Sequence, residues 1–345
     1  MDNKIIPLVN DVFKKNISDK IPSDIQRKIK NFSYQNQVRN LYILAVLSSL
    51  VSLLKNNEID TIPFKGLITA HGIYGDIGLR SFSDIDLLVK KKDISKAWGV
   101  LCSNGFNPEL DLDYQQLQKY IKTEDNILFI NKKNQIAVEL HWEMTGIYLP
   151  HPLCYESVQS RIHEITIHGK EFNNLSREDQ LVYLCIHGAK HEWENIEQIS
   201  SVAELIKTNS DLDWHLIENL AMKWRCFNLV LLGLYLSMLL FHRSLPKKIE
   251  QKINSNKTIK KLGDDVLSNM VNQSFGRRHN VSRISGFHIK NKDQLIDKLR
   301  YLFRMIFCPT KKDWLLFPVH ANFSFIHYIY RPMRLILNKI ITKNA

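Results

Sequence analysis

Apolar residues in the stretch 24–56 recur at helical spacing, through Tyr42, Leu47, Leu50, Leu53 and Leu54, with no glycine or proline after Pro22, so one or two N-terminal helices are expected. The pattern then shortens. IDTIPFKG (59–66) reads as a short strand ending at Gly66, LITAHGIYG (67–75) as a short helix, and GDIGLRSFS (75–83) as a glycine-containing loop. SDIDLLVK (83–90) alternates and then becomes fully apolar, as a strand entering a core does. DISKAWGVLCSNGF (93–106) reads as a helix with Asp93 as N-cap and Gly105 just past its end. NILFIN and QIAVELHWEM, separated by Lys132, Lys133 and Asn134, predict a hairpin.

From Ser176 the period becomes helical. SREDQLVYLCIHGAKHEW opens with the capping spacing Ser176 to Asp179, and NLVLLGLYLSMLLFH and DQLIDKLRYLFRMIF follow. The expected fold is therefore α+β: a small mixed sheet with packed helices, followed by a mainly helical C-terminal domain. The divisions are 1–56 for the N-terminal helices, 57–150 for the core, 151–175 for a connecting segment and 176–345 for the helical part, with the boundary between Pro150 and Leu175. A chain of 345 residues accommodates about two such domains. Residues 226–241 are apolar but interrupted by Asn228, Gly233 and Ser237, and fall short of the roughly 20 residues a membrane span needs. A buried helix is expected there, and no transmembrane segment.

Charge alters this picture at one end. The net charge of +12 is concentrated in residues 243–345, where 21 Lys and Arg face 6 Asp and Glu, while the first 242 residues sum to −3. A basic third of this kind suits a polyphosphate, RNA or an anionic membrane surface, or is simply a solvated helical face. Gly276-Arg277-Arg278-His279-Asn280 is its densest loop, read as solvated or as an RNA or phosphate contact. The five cysteines form neither a CxxC nor a finger pattern, which argues against a disulfide framework and a structural zinc and points to a reducing, cytoplasmic location. The N-terminus, with Asp2 and Asp11 and no long apolar run, does not read as a secretory signal.

Asp84 and Asp86, two apart on a strand, project from one face, and two such carboxylates repel unless a cation lies between them or water solvates both. In AVELHW, Glu139 and His141 share one face while Val138, Leu140 and Trp142 share the other. If that strand lies beside SDIDLLV, three carboxylates converge, as a pair of divalent ions requires. His141 then contacts a metal or phosphate, or orients Glu139.

FKG, the short helix, GLRSFSDIDLLV and VELHW together resemble the uncharacterised nucleotidyltransferase branch of the DNA polymerase beta superfamily, and the resemblance continues through LCIHGAKHEW (184–193) and PTKKDWLLFPVH…YIYRPMRL (309–335). It implies that Asp84 and Asp86 are metal ligands, that Glu139 is the third ligand and the candidate base, and that Mg²⁺ or Mn²⁺ supports transfer of an NMP from an NTP, ATP among them, to a hydroxyl with loss of pyrophosphate. Lys65 and Gly66 stand where the superfamily usually has a Gly-Ser pair; Gly66 lets backbone approach phosphate, Lys65 neutralises it, and Ser83 is the candidate for the missing serine contact. Arg80 either clamps the triphosphate or pairs with Asp84.

His187 and His191, four apart on a helix with Lys190 beside them, face nucleotide or acceptor, bind zinc as a His-x-x-x-His pair, or are packed, hydrogen-bonded residues; Gly188 rules out an HExxH motif. Relatives often carry an aspartate about ten residues beyond the second histidine, where this chain has Ser201. Trp142, Trp193, Trp214 and Trp224 stack a base or fill the core. Two further functional readings remain open on the sequence: a nucleotide-binding scaffold without catalysis, and an RNA-directed transferase. The acceptor, whether small molecule, peptide or protein, and the oligomeric state are not encoded legibly.

Overall fold

The computed structural model describes residues 6–16, 22–133, 135–146, 149, 153–274 and 286–341; the basic loop at 276–280, Asn134 of the expected turn and Pro150 of the expected boundary lie outside the described residues. Helices α1 (Ile6–Asn16) and α2 (Ser23–Asn56) precede the sheet. The core runs β1 (Thr61–Pro63), α3 (Gly66–Tyr74), β2 (Asp84–Val89), α4 (Ile94–Ser103), β3 (Phe106–Pro108), α5 (Tyr114–Tyr120), β4 (Asn126–Asn131) and β5 (Ile136–His141). Then come α6 (Tyr155–Val158), β6 (His163–Ile167), β7 (Lys170–Asn174), α7 (Arg177–Lys190), α8 (Ile196–Thr208), α9 (Trp214–Lys223), α10 (Phe227–Phe241), α11 (Lys247–Ser255) and α12 (Lys257–Ser274). The last helices are α13 (Gly286–Lys290), α14 (Leu295–Phe307), α15 (Lys311–Leu316) and α16 (Ile326–Ile341). The fold is α+β, as the patterning implies.

The five-stranded sheet has the order β1-β2-β5-β4-β3, with β2 and β5 parallel and the other pairs antiparallel. Each face covers its own core. Ile85, Leu87, Val89, Val138, Leu140 and Trp142 pack with Leu47, Leu50 and Leu54 of α2, while Leu88, Ile62 and Phe64 join the cluster formed by α7, α8 and α10. That two-sided burial explains why β2 loses its alternation after Asp86.

Three readings change. Gly66 opens α3 instead of closing β1, and it does so at φ +48°, a conformation glycine adopts without a Cβ penalty. Asp93 precedes α4 but makes no side-chain capping bond. The connecting segment 151–175 carries a hairpin, β6–β7, whose Ile167 and Phe172 enter the core and whose Asn173 Nδ2 donates to the Thr61 carbonyl. Its strands HEITI and KEFNN hold too few apolar positions to announce themselves. By contrast, Ser176 does cap α7, its hydroxyl accepting from the Asp179 amide.

The apolar run at 226–241 is α10, and Leu229 to Ser237 are buried among neighbouring helices. Helix α2 is the one helix among the described residues long and apolar enough to cross a membrane by length and composition, and a third of its apolar window is buried inside the fold. All five cysteines are free thiols.

Trp142, Trp193 and Trp224 are fully buried, so they fill the core instead of presenting a stacking surface; Trp214 is partly buried against the same cluster. Trp193 wedges between α7 and α10, where a Cβ on Gly188 would lie 2.3 Å from its ring and one on Gly233 3.0 Å. Gly188→Ala is therefore expected to destabilise the protein by about 2–3 kcal/mol through overpacking. Thermal melting tests it, and an unchanged midpoint would show that the wedge has slack.

The C-terminal segment docks on α5 and the loop that follows it. Trp314 sits edge-on to Tyr120, Gln116 Nε2 donates to the Val319 carbonyl, and the Lys311 amide donates to Glu124. Burial first, and the charge of Asp125 second, push the Glu124 carboxyl up to about 7. A carboxyl raised in the folded state contributes stability that is fully present below its unfolded value near 4.5 and is lost as pH rises through about 7. The melting midpoint should thus fall between pH 5 and 8 (roughly, from that shift), and Glu124→Gln should flatten the slope.

Candidate active site

The parallel pairing of β2 with β5 places Asp86 directly beside Glu139, Asp84 beside Ala137, and Leu88 beside His141. Residues paired across a ladder share a face, so Asp84, Asp86, Glu139 and His141 all project toward the helical layer. His141 Nε2 lies 2.9 Å from Asp86 Oδ1 and 3.0 Å from Glu139 Oε2. Lys65, at the N-cap of α3, puts its ammonium 2.5 Å from Asp86 Oδ1 and 3.7 Å from Glu139 Oε2.

The charges explain the proton affinities. Burial opposes the ionised Asp86, but the Lys65 ammonium and the His141 hydrogen bond outweigh it and hold this carboxyl below the usual range. Burial likewise opposes the charge on Lys65, and Asp86, Tyr183 and Glu139 override it to raise its pKa. For Glu139 the His141 hydrogen bond is the largest influence and lowers the pKa. Asp84 differs. Burial first, then the charges of Asp86 and Glu139, raise its pKa, because Lys65 compensates it less than it compensates Asp86.

Asp86, Glu139 and His141 each offer a ligand atom within 4.8 Å of the others, the one such group among the described residues. Asp84 lies on the same strand face but outside that constellation. The donor set of two carboxylates and one imidazole suits a divalent cation. Crowding of anions around Asp84 is also what a second cation would relieve.

Arg80 does not pair with Asp84. Its Nε lies 2.5 Å from Glu197 Oε1 on α8, and both side chains are largely buried. Glu197 also accepts from the hydroxyl of Ser201, at 3.2 Å, one turn further along α8. The loop bearing Arg80 and the exposed Ser83 is pinned from α2. Asn36 Nδ2 donates to the carbonyls of Gly78 and Arg80, and Asn40 Nδ2 to those of Ile77 and Arg80. Those two asparagines were missed, although they stand four apart on the apolar face of an amphipathic helix, where buried amides demand partners.

Gly66 is buried, and a Cβ added to it would lie 3.4 Å from the Phe82 ring. Above the acids runs α7. Tyr183 and His187 have ring centroids 5.8 Å apart, and His187 and His191 4.9 Å. Burial first, then Lys65, His191, Lys190 and Arg80, drive the His187 pKa well below its ordinary value, so this imidazole is neutral within a ring of cations. Tyr183 was also missed. Its hydroxyl is buried without a hydrogen-bond partner among the described residues, and it interacts electrostatically with Lys65, Asp86 and Glu139. The 183, 187, 191 spacing along one helix face was the available signal.

The family described as "Uncharacterised nucleotidyltransferase" matches residues 1–242. No curated protein matches the chain. Among solved structures, ANT(2″)-Ia in complex with adenylyl-2″-tobramycin matches at 13% identity over 53% of this chain and 97% of that one, with a TM-score of 0.38. The lincosamide antibiotic adenylyltransferase LnuA, lincomycin-bound, matches at 12% identity over 48% and 94%, with a TM-score of 0.31. An antigenic nucleotidyltransferase-like protein from Paracoccidioides brasiliensis matches at 15% identity over 52% and 87%, with a TM-score of 0.31.

Proposed function

This chain belongs to the family of uncharacterised nucleotidyltransferases, and from that premise we propose that it transfers an NMP from an NTP to a hydroxyl of a small-molecule, peptide or protein acceptor, with Mg²⁺ or Mn²⁺ as cofactor and pyrophosphate as product. The observation that carries the reading is the convergence of Asp86, Glu139 and His141, with Asp84 on the same strand face, beneath a lysine at a helix N-terminus.

In this reading Asp84, Asp86 and Glu139 hold the cations. When bound, these supply Lewis-acid stabilisation of charge at the α-phosphate and make the acceptor hydroxyl more acidic. The chain's own groups do the rest. Glu139 accepts the proton of the attacking hydroxyl, and His141, bonded to both Glu139 and Asp86, fixes the directions of the two carboxylates. Lys65 lies against Asp86 in the free chain and turns to a phosphate oxygen when nucleotide arrives. Gly66 and the first turn of α3 offer backbone N–H groups to phosphate, with Ser83 at the loop edge as a further donor. His187, held neutral, faces the phosphate or acceptor side together with Lys190 and His191. Arg80, engaged by Glu197, orders the loop ahead of Asp84 and adds positive potential.

We place the catalytic core at 57–150 and the acceptor side in 176–345, joined through 151–175 and preceded by the helices of 1–56. The free thiols support a cytoplasmic location. The test is incubation with each of four α-labelled NTPs, Mg²⁺ or Mn²⁺ and host lysate. Label is expected in one product with stoichiometric pyrophosphate. Tight nucleotide binding with no pyrophosphate from any acceptor would leave a binding module instead.

A further inference from the structure

Helices α14 and α16 are amphipathic in the wrong sense for a free surface. On α14, Asp297, Tyr301 and Met305 are buried while Leu295, Leu299, Phe303 and Phe307 are exposed, Leu295 by 72% and Phe303 by 59%. On α16, His327, Arg331 and Arg334 are buried while Ile329, Met333, Ile336 and Leu337 are exposed. The two helices pack against each other, so the outward rows belong to one region of the C-terminal third. Together with neighbours such as Leu316 and Phe325, these side chains expose on the order of 1,000 Å² of apolar surface, beyond the roughly 300–600 Å² of the largest patch on a typical monomer.

The inversion has a cause inside the fold. Arg331 and Arg334 are drawn inward by Asp313, and Asp297 by Arg225, so the polar side of each helix is consumed by internal ion pairs. What remains outside is apolar with a cationic border. Around α14 the apolar row is flanked by Arg300 and Arg304 on one side and Lys298 on the other, and Lys312 is exposed on α15. Residues 290–345 hold 11 Lys and Arg against three aspartates. All three are engaged within the fold: Asp293 accepts from the first amides of α10, Asp297 from Arg225, and Asp313 from the two arginines.

A second copy docking through the same α14–α16 face would press like charges together, with no acid left in this segment to meet them. An apolar row bordered by lysine and arginine has the chemistry of an interfacial helix, whose aromatic and aliphatic side chains enter the acyl boundary while the cations meet anionic headgroups. We propose that the α14–α16 face docks this protein on an anionic lipid membrane surface. This goes beyond nucleotidyl transfer and stands whether or not that reading holds.

The test is co-sedimentation of the full chain with vesicles of phosphatidylcholine alone and with about 30% phosphatidylglycerol, at low and high salt. Binding is expected to the anionic vesicles, to weaken with salt, and to be at least about tenfold weaker on the neutral ones. Leu299→Ser with Phe303→Ser, and separately Arg300→Glu with Lys312→Glu, should each reduce partitioning by about tenfold or more. Because these positions are exposed, the melting midpoints should be unchanged, which separates lost docking from lost folding. No binding to anionic vesicles, or equal binding by wild type and both variants, overturns the proposal. So does a solution dimer that the Leu299/Phe303 variant dissociates in protein that never sediments with vesicles.

Discussion

Asp86→Asn should lower kcat for nucleotidyl transfer by about 10²–10³-fold or more, the scale on which removal of one charge-stabilising group acts in a preorganised site. The substitution keeps the side chain's size and its place beside Glu139 but removes the charge on which both Lys65 and His141 converge. It also leaves the Lys65 ammonium with Glu139, at 3.7 Å, as its nearer acidic neighbour and Asp84 as a weaker one, so a loss of stability is expected alongside the loss of rate. The two effects separate in the double variant Lys65→Met with Asp86→Asn, which should recover melting temperature but not activity. Pyrophosphate release measured on protein verified as folded is the readout. Activity within tenfold of wild type in the folded single variant would remove Asp86 from the catalytic centre.

The largest stability effect is expected at Asp313, far from the carboxylates. This fully buried side chain accepts from the Thr310 amide and hydroxyl, from Arg331 Nη1 at 3.1 Å and from Arg334 Nε at 2.6 Å. Arg331 in turn donates to the Met305 carbonyl at the end of α14, so one carboxylate ties α14, α15 and α16 together. Burial opposes its charge, but the Arg334 and Thr310 hydrogen bonds prevail and lower its pKa. A carboxyl lowered in the folded state contributes stability present above its unfolded value and lost as pH falls through the folded one, so acid should loosen this corner. Asp313→Asn removes the buried negative charge that both guanidinium groups meet and should cost about 3–5 kcal/mol. Replacing all three groups with apolar residues should restore most of that loss. Urea unfolding of the two proteins decides it, and a change under about 1 kcal/mol in the single variant would show that water reaches the arginines.

The sheet and its acids were legible because period-two patterning is short-range: DIDLLV and AVELHW each fix which side chains share a face. That Asp86 meets Glu139 was conditional on a pairing across 53 residues, which the sequence could suggest but not dictate. Of the two alternatives for Arg80, the pairing with Asp84 fails for the same reason. The arginine's partner, Glu197, lies on a helix more than 100 residues away, beyond the reach of local patterning. Short polar strands such as β6 and β7 stayed invisible, and so did the inverted helices. The periodicity of α14 reveals an apolar row but cannot say which way it faces; that depends on the buried ion pairs of Asp297 and Asp313.

The central position of β5 has a consequence for how the molecule matures. This strand is held between β2 and β4, parallel to one and antiparallel to the other. The hairpin with β4 closes locally, whereas pairing with β2 closes a long stretch of chain and comes at a greater entropic cost. A slip of one residue in that last step would turn Val138 and Leu140 toward the acids and drive Glu139 and His141 into the hydrocarbon on the opposite side. Turnover therefore doubles as a register assay: a preparation with native helix content but a misaligned central strand would be compact, cooperative in part, and inert.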